Sequence, residues 1–161
     1  MKVAAAVPKV RVADCDFNAS EIIRCVNEAV NMEVQVIVFP ELCITGYSCG
    51  DLFFQETLLH GAMQSLRQIA EATLLQNIIV IVGVPLAIES MLLNTAVVLQ
   101  GGRILGVVSK SYLPNYKEFQ EKRWFVSAFD CGIKEIVILQ QFVPLGNDLV
   151  FCTPAGNFGI E

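Results

Sequence analysis

The chain has 161 residues, of which 54% are apolar and 17% charged, and its 11 Lys and Arg against 16 Asp and Glu give a net charge of −5. This length suits one domain, spanning residues 1–161, and the apolar content excludes intrinsic disorder, which requires low hydrophobicity and high charge. The acidic balance argues against a nucleic-acid partner, since such proteins usually carry a basic surface.

Hydrophobic segments and cysteines bear on the cellular compartment. The longest apolar run, residues 78–88, contains Gly83 and Pro85 and is shorter than the roughly 20 residues of a membrane-spanning helix, and no export signal opens the chain. We therefore expect a cytoplasmic protein without membrane contact and with reduced thiols. The six cysteines, none in a zinc-like spacing, are expected to be small buried hydrophobes without a metal.

Helices and strands alternate in the first half of the sequence. Asp16 and Asn18 are good helix caps, and apolar residues from Ala19 to Val30 recur at helical spacing up to an end near Asn31. Further predicted elements are a strand at 2–7, a strand at 34–39 ended by Pro40, a loop at 41–51, a helix at 55–76 and a buried strand at 78–82.

Strand pairing dominates the second half. Gly101-Gly102 is a hairpin signal between strands at 94–100 and 103–108. The polar and aromatic stretch 111–125 is expected to be irregular, and short strands are predicted at 136–139, 149–152 and 157–160. Alternation followed by a hairpin predicts the α/β class, a sandwich with mixed sheets instead of a purely parallel sheet.

Two charged residues come directly after apolar strands. Glu41 follows Phe39-Pro40, and Lys110 follows strand 103–108 with one serine between. Because ligands of α/β proteins bind at strand ends, Glu41 is a candidate general base and Lys110 a candidate stabiliser of an oxyanion. Both types are also common as solvated surface charges, and the local pattern leaves that explanation open.

The segment 112–125 mixes five aromatic residues with charges. Such a mixture is typical of a loop that walls a ligand pocket, although a surface loop anchored by its aromatic residues has the same pattern. Glu121 in this segment could position Lys110 or a substrate amine. A cysteine would be the natural nucleophile beside a base and a cation, but none of the six is an obvious choice, and His60 falls on the polar face of a helix.

Several motifs resemble the nitrilase (carbon–nitrogen hydrolase) superfamily. They are FPELCITGY at 39–47, VGVP at 82–85, NTA at 94–96 and KSYLP at 110–114. Within it, GYSCGDLF at 46–53 and LPNYKEFQEKRWF at 113–125 look like the glutaminase domains of glutamine-dependent NAD(+) synthetases. The resemblance runs across nearly the whole chain.

The resemblance implies a fold and a chemistry. The fold would be part of a four-layer αββα sandwich. The family's Glu-Lys-Cys triad would make Glu41 the general base, Lys110 the oxyanion-stabilising lysine and Glu121 a second, supporting glutamate. Tyr116 and Phe119 match aromatic positions that line a glutamine pocket. The thiolate would release ammonia from the glutamine amide through a thioester.

The sequence departs from the family pattern at its end. The nucleophilic cysteine of the family follows a segment resembling residues 157–161, so we expect it beyond this chain and the 161 residues to be inactive alone. ATP and Mg²⁺ are expected only for a separate synthetase domain, which would make NAD from deamido-NAD. The resemblance also suggests a homo-oligomer, and exposed sheet faces predict self-association. Two alternatives remain: another amidase of the superfamily, and a non-catalytic binding or assembly module.

Overall fold

The computed structural model describes residues 1–154 and 156–161, and it confirms an α/β protein with a mixed sheet. The helices are α1 (Cys15–Asn31), α2 (Glu56–Ala72) and the short α3 (Ala128–Cys131), with 3-10 segments at Tyr47–Phe54 and Glu121–Arg123. The strands are β1 (Val3–Ala5), β2 (Val36–Val38), β3 (Ile79–Ile88), β4 (Met91–Gln100), β5 (Arg103–Ser109), β6 (Glu135–Ile138), β7 (Gln141–Gly146), β8 (Val150–Thr153) and β9 (Gly156–Gly159).

Seven strands form one sheet in the order β1-β2-β3-β4-β5-β7-β6, and β8 pairs with β9 in a separate hairpin. The β1–β2, β2–β3 and β5–β7 pairs are parallel, and the other pairs are antiparallel. In this order β2 and β5, which precede Glu41 and Lys110, are separated by two strands.

The sheet buries a different set of residues on each face. On one face, apolar residues of α1 and α2 pack against alternate strand residues such as Val80, Val97 and Val107. On the other face, Ile81, Val98 and their neighbours pack against Phe151 of the β8–β9 hairpin. Alternation of this kind follows from the two-residue period of strand side chains, and it gives helices on one side and a hairpin on the other.

Helix α1 begins earlier than the sequence predicted. Its cap is Asp14, whose carboxylate accepts a hydrogen bond of 3.1 Å from the N–H of Phe17. The predicted caps Asp16 and Asn18 are wrong, because both residues lie inside the helix. Asn18 is instead fully buried and donates its amide to the carbonyl oxygens of Arg11 and Ile44.

Strand β3 is longer than predicted, since it continues through Gly83 and Pro85 to Ile88. Its pairing with β2 ends at Ile81, so Pro85 removes no donor from that ladder. The predicted hairpin of β4 and β5 is confirmed, with Gly101 and Gly102 both at positive φ. Helix α2 ends at Ala72, four residues before its predicted end.

Strand β7 and helix α3 are not among the predicted elements. The β6–β7 turn is made by Leu139 and Gln140, both at positive φ, where glycine or asparagine is the usual residue. The predicted strands at 136–139, 149–152 and 157–160 correspond to β6, β8 and β9, and segment 111–125 is irregular apart from the 3-10 turn that begins at Glu121.

All six cysteines are free thiols, but they are not all buried. Cys152 is exposed and Cys25 is partly exposed, which corrects the expectation that each is a buried hydrophobe. Cys131 is buried at the end of α3. Across residues 1–154 and 156–161, no helix has the length and hydrophobicity to cross a membrane.

Candidate active site

Glu41 lies in the turn that follows β2, and this turn rests directly on β3. A Cβ atom built on Gly83 of β3 would lie 2.9 Å from the carbonyl carbon of Glu41 and even closer to the backbone nitrogen of Leu42. Real side chains do not tolerate such distances, so glycine is required for the close approach of the two backbones. The missing side chain lets the turn after β2 cross toward β4.

Lys110 lies between two carboxylates. Its Nζ donates a hydrogen bond of 2.9 Å to Oε1 of Glu41 and one of 3.0 Å to Oε1 of Glu121, and it lies 2.9 Å from Oε2 of Glu121. The candidate base Glu41 and the candidate lysine Lys110 are therefore in direct contact in the structure, and Glu121 joins them. Two backbone hydrogen bonds fix Lys110. Its N–H donates to the carbonyl oxygen of Asn94, and its carbonyl oxygen accepts from the N–H of Ala128.

Glu121 is the most buried member of this cluster, with 1% of its surface exposed. Its Oε1 accepts hydrogen bonds from the hydroxyl of Tyr47, at 2.7 Å, and from Lys110. A buried carboxylate requires such partners, because an unpaired buried charge is strongly unfavourable. Tyr47 comes from the 3-10 segment after Glu41, so it ties the two loops around Lys110 together.

The electrostatics of the cluster favour a charged lysine. Burial alone would lower the pKa of Lys110, but the hydrogen bonds and charges of Glu41 and Glu121 outweigh it and leave the pKa above its usual value. The pKa of the Tyr47 hydroxyl is also raised, by burial and by its hydrogen bond to Glu121. Lys110 is therefore an ammonium group, and Tyr47 a neutral donor, around neutral pH.

A cavity of about 440 Å³ adjoins the cluster. Its lining includes charged and polar residues: Glu41, Asn94, Thr95, Ser109, Lys110, Ser111, Asn147 and Glu161. The remaining lining is mostly apolar, and it includes Val38, Ile81, Ala96, Val108, Tyr112 and Ile160. An apolar cavity with a few convergent polar groups is the usual form of a small-molecule site.

Tyr116 and Phe119 were predicted to line a glutamine pocket. They are not among the residues that line the cavity. Their rings contact each other edge to face at 5.7 Å, and the ring of Phe119 contacts Tyr47 at 6.5 Å. Tyr116 is exposed, with 63% of its surface accessible. Phe119 therefore contacts Tyr47, and Tyr116 contacts Phe119. The predicted contact of both residues with glutamine stays a prediction.

Within the described lining of the cavity there is no cysteine. Cys43 is buried and donates its thiol to the carbonyl oxygen of Gly83, and burial raises its pKa to about 12. Cys49 donates to the carbonyl oxygens of Thr45 and Gly46, and burial raises its pKa as well. Such thiols are poor nucleophiles, so neither completes a Glu-Lys-Cys triad. His60 is not part of this cluster, since it contacts Gln64 on the exposed side of α2.

Asn94 was missed as a functional residue by the sequence reasoning. It lies on β4 with 3% of its surface exposed, and its side-chain amide donates to Oε1 of Glu41. A polar residue inside an otherwise apolar strand is the signal that could have identified it, because buried polar groups are informative where buried apolar ones are not. Tyr47 was quoted only as part of a motif.

A family profile for carbon-nitrogen hydrolases matches residues 2–161. The chain therefore belongs to the carbon-nitrogen hydrolase family, as its motifs and fold indicated. Among the residues that carry the resemblance, Glu41, Lys110 and Glu121 are joined by hydrogen bonds through the lysine. Tyr47 and Asn94, from two further motifs, donate to the two carboxylates.

Among curated proteins, the chain is similar to the glutamine-dependent NAD(+) synthetase of Mycobacterium leprae (strain TN). The two are 34% identical over 155 residues, which cover 94% of this chain and 22% of that protein. The chain thus spans about a fifth of the length of this relative.

Two solved structures show the same fold. A glutamine-dependent NAD(+) synthetase from Cytophaga hutchinsonii superposes with a TM-score of 0.89 and 27% identity, over 98% of this chain and 27% of that chain. An amidase from Nesterenkonia sp. superposes with a TM-score of 0.67 and 22% identity, over 86% of this chain and 51% of that chain. The second likeness concerns the fold alone.

Proposed function

We propose that Glu41, Lys110 and Glu121 form the acid–base and charge-stabilising part of a glutamine amidohydrolase site. The observation that carries the proposal is the position of Lys110 Nζ, 2.9 Å from carboxylate oxygens of both glutamates and next to the cavity. Membership of the carbon-nitrogen hydrolase family supports amide hydrolysis. Similarity to glutamine-dependent synthetases supports glutamine as the substrate.

Each group has a role in this chemistry. Glu41 takes the proton of a thiol, and the sulfur attacks the carbonyl carbon of the amide to form a carbon–sulfur bond. Glu41 then passes the proton to the amide nitrogen, the carbon–nitrogen bond breaks, and ammonia leaves a thioester behind. Lys110 places positive charge where the carbonyl oxygen becomes negative. Water then attacks the thioester, which releases glutamate and restores the thiol. Glu121 keeps Lys110 charged and in place.

The thiol is the missing member, and we propose that the 161 residues do not hydrolyse glutamine alone. The support is the cysteine-free lining of the cavity over the described residues and the raised pKa of Cys43 and Cys49.

In a longer protein, the ammonia would serve NAD synthesis from deamido-NAD. Hydrolysis of the amide consumes water only, and we assign ATP and Mg²⁺ to a separate synthetase domain, with no cofactor role for these 161 residues. We also propose a reducing, cytoplasmic setting for the protein.

Ammonia release from glutamine tests competence. The wild-type chain and Glu41→Gln are assayed in parallel with a coupled glutamate dehydrogenase readout, and neither is expected to release ammonia above the uncatalysed rate. Release by the wild type that Glu41→Gln abolishes would overturn the proposed incompetence. It would also support the assignment of Glu41 as the base.

Glutamine binding tests the substrate assignment. Titration of the wild-type chain with glutamine, acetamide and glutamate, followed by NMR or calorimetry, is expected to show binding of glutamine in preference to the other two. Phe119→Ala should weaken glutamine binding by about tenfold, the loss of one aromatic contact. Phe142→Ala, which removes an exposed ring on β7, is the matched control. Absence of glutamine binding would contradict the assignment.

A second candidate is a non-catalytic binding or assembly role, which the cysteine-free cavity lining favours. It predicts ligand binding at the cavity without turnover even when a longer form of the protein is assayed. Preference for acetamide over glutamine would instead favour another amidase of the family.

A further inference from the structure

Asn94 is buried on β4, between the two loops that carry Glu41 and Lys110. Only 3% of its surface is exposed, and it pairs with Pro85 of β3 across the sheet. A buried amide without hydrogen bonds is costly, so the contacts that Asn94 makes explain why a polar residue is tolerated at this position.

These contacts reach both members of the ion pair. The side-chain Nδ2 of Asn94 donates to Oε1 of Glu41, and its backbone carbonyl oxygen accepts a hydrogen bond of 2.9 Å from the N–H of Lys110. A carboxylate can only accept, so the amide must present its NH₂ to Glu41, which fixes the orientation of the Asn94 side chain. Asn94 therefore fixes the positions of Glu41 and Lys110 relative to the same strand, β4.

The burial of the three side chains shows which of them can hold the others. The side chains of Glu41 and Lys110 are 40% and 27% exposed, and half-exposed ion pairs are mobile and contribute little. Asn94 is held in the sheet by its pairing with Pro85 of β3 on one side and by the backbone N–H of Lys110, directly after β5, on the other. The Asn94 amide is therefore the rigid member of this group, and the Glu41 carboxylate is the mobile member that a hydrogen bond can orient.

We propose that Asn94 is a positioning residue that holds the Glu41 carboxylate against Lys110. It occupies Oε1 together with Lys110, and within the described residues Oε2 accepts no hydrogen bond from the protein. The carboxylate then has one oxygen for orientation and one for proton transfer. The chemical meaning of this inference rests on the proposed function, whereas its test reads the protonation of Lys110 and does not depend on glutamine.

The test measures how fast Lys110 is acylated by an N-hydroxysuccinimide ester as pH rises, with peptide mass spectrometry as the readout. Only the neutral amine reacts, so partners that raise the pKa of Lys110 suppress the rate. Removing a partner moves the pH profile downward. Glu41→Gln should lower its midpoint by about one unit, an increase of about tenfold in rate below the midpoint.

Asn94→Ala and Asn94→Leu should move the profile in the same direction by about half a unit, or roughly threefold in rate, because Glu41 remains but is no longer held. Added to Glu41→Gln, neither change should move the profile further. Thr73→Val, which removes another buried hydrogen-bonding side chain far from the site, should leave it unchanged. Circular dichroism checks that each variant is folded.

Two outcomes would overturn the proposal: a profile for both Asn94 variants that coincides with the wild type, or a shift that persists in the Glu41→Gln background. A measurement without substitution at Asn94 covers the case in which these variants fail to fold. The Asn94 side-chain amide proton of the wild type should resonate downfield and move upfield in Glu41→Gln. An Asn94 amide signal that ignores Glu41→Gln would also overturn the proposal.

Discussion

At the scale of single residues, Glu121 shows how the site manages a buried charge. It is almost inaccessible to solvent and is held by Lys110 and by the hydroxyl of Tyr47. The tyrosine comes from the loop that follows Glu41, and the lysine from the end of β5. The support of one carboxylate therefore depends on two separate segments of the chain.

Tyr47→Phe removes one hydrogen bond to this buried carboxylate. Because the lost donor leaves a charged group less well paired, we expect the free energy of unfolding to fall by about 1–2 kcal/mol. Urea denaturation measures it. Tyr112→Phe, at an exposed tyrosine with 71% of its surface accessible, should leave stability unchanged. Equal stability of Tyr47→Phe and the wild type would show that the hydroxyl is dispensable.

The sequence could predict part of this site but not all of it. Glu41, Lys110 and Glu121 lie in motifs with recognisable spacing, and the structure joins them by hydrogen bonds. Asn94 and Tyr47 act through contacts across 53 and 74 residues of sequence. Nothing in the local pattern shows such contacts, since they depend on how β2, β4 and the loops are arranged in space.

At the scale of elements, Gly83 controls how the turn after β2 meets β3. Gly83→Ala would force a methyl group into the backbone of Glu41 and Leu42. We expect the free energy of unfolding to fall by about 3 kcal/mol, with displacement of Glu41 from Lys110. Thermal or urea denaturation measures the first effect, and Lys110 acylation the second.

Gly61 in α2 is the matched control for Gly83. A Cβ there would meet the side chain of Cys15 at ordinary distances of 3.7 and 3.8 Å, and alanine is preferred over glycine inside helices by up to about 1 kcal/mol. Gly61→Ala should therefore stabilise the protein slightly. Similar effects of the two substitutions would contradict the argument from the Gly83 contact.

The two hairpins show why some elements could be predicted and others not. The turn of Gly101 and Gly102 combines positive φ with the residues that favour it, so β4 and β5 follow from the sequence. Leu139 and Gln140 also have positive φ in their turn, although neither residue type favours that backbone conformation. Its conformation is imposed by the pairing of β6 and β7, which is tertiary information that local preference does not contain.

At the scale of the whole molecule, one part of the sheet is uncovered. Val137 and Phe142 face each other across β6 and β7, and 64% and 79% of their surfaces are exposed. Their neighbours on the opposite face, such as Ile136 and Val143, are buried against the helices. An apolar pair next to an edge strand is the kind of surface that favours contact with another protein chain.

We therefore expect the isolated chain to self-associate, and sedimentation velocity should show a weight that rises with concentration. The double variant Val137→Lys/Phe142→Glu, which places opposite charges across the strands, should reduce this association. Leu75→Lys, at a residue that is 97% exposed outside the sheet, should not. A monodisperse monomer at all concentrations would contradict the prediction.

The crossing of the turn over Gly83 has a consequence for how the protein acquires its chemistry. Glu41 follows β2 and Lys110 follows β5, and two strands, β3 and β4, lie between these strands in the sheet. The two side chains can meet only when β3 and β4 are paired in register. A half-formed sheet would carry an ordinary acid and an ordinary amine. The reactivity of Lys110 therefore reports whether the central strands are correctly paired, and it does so without any substrate.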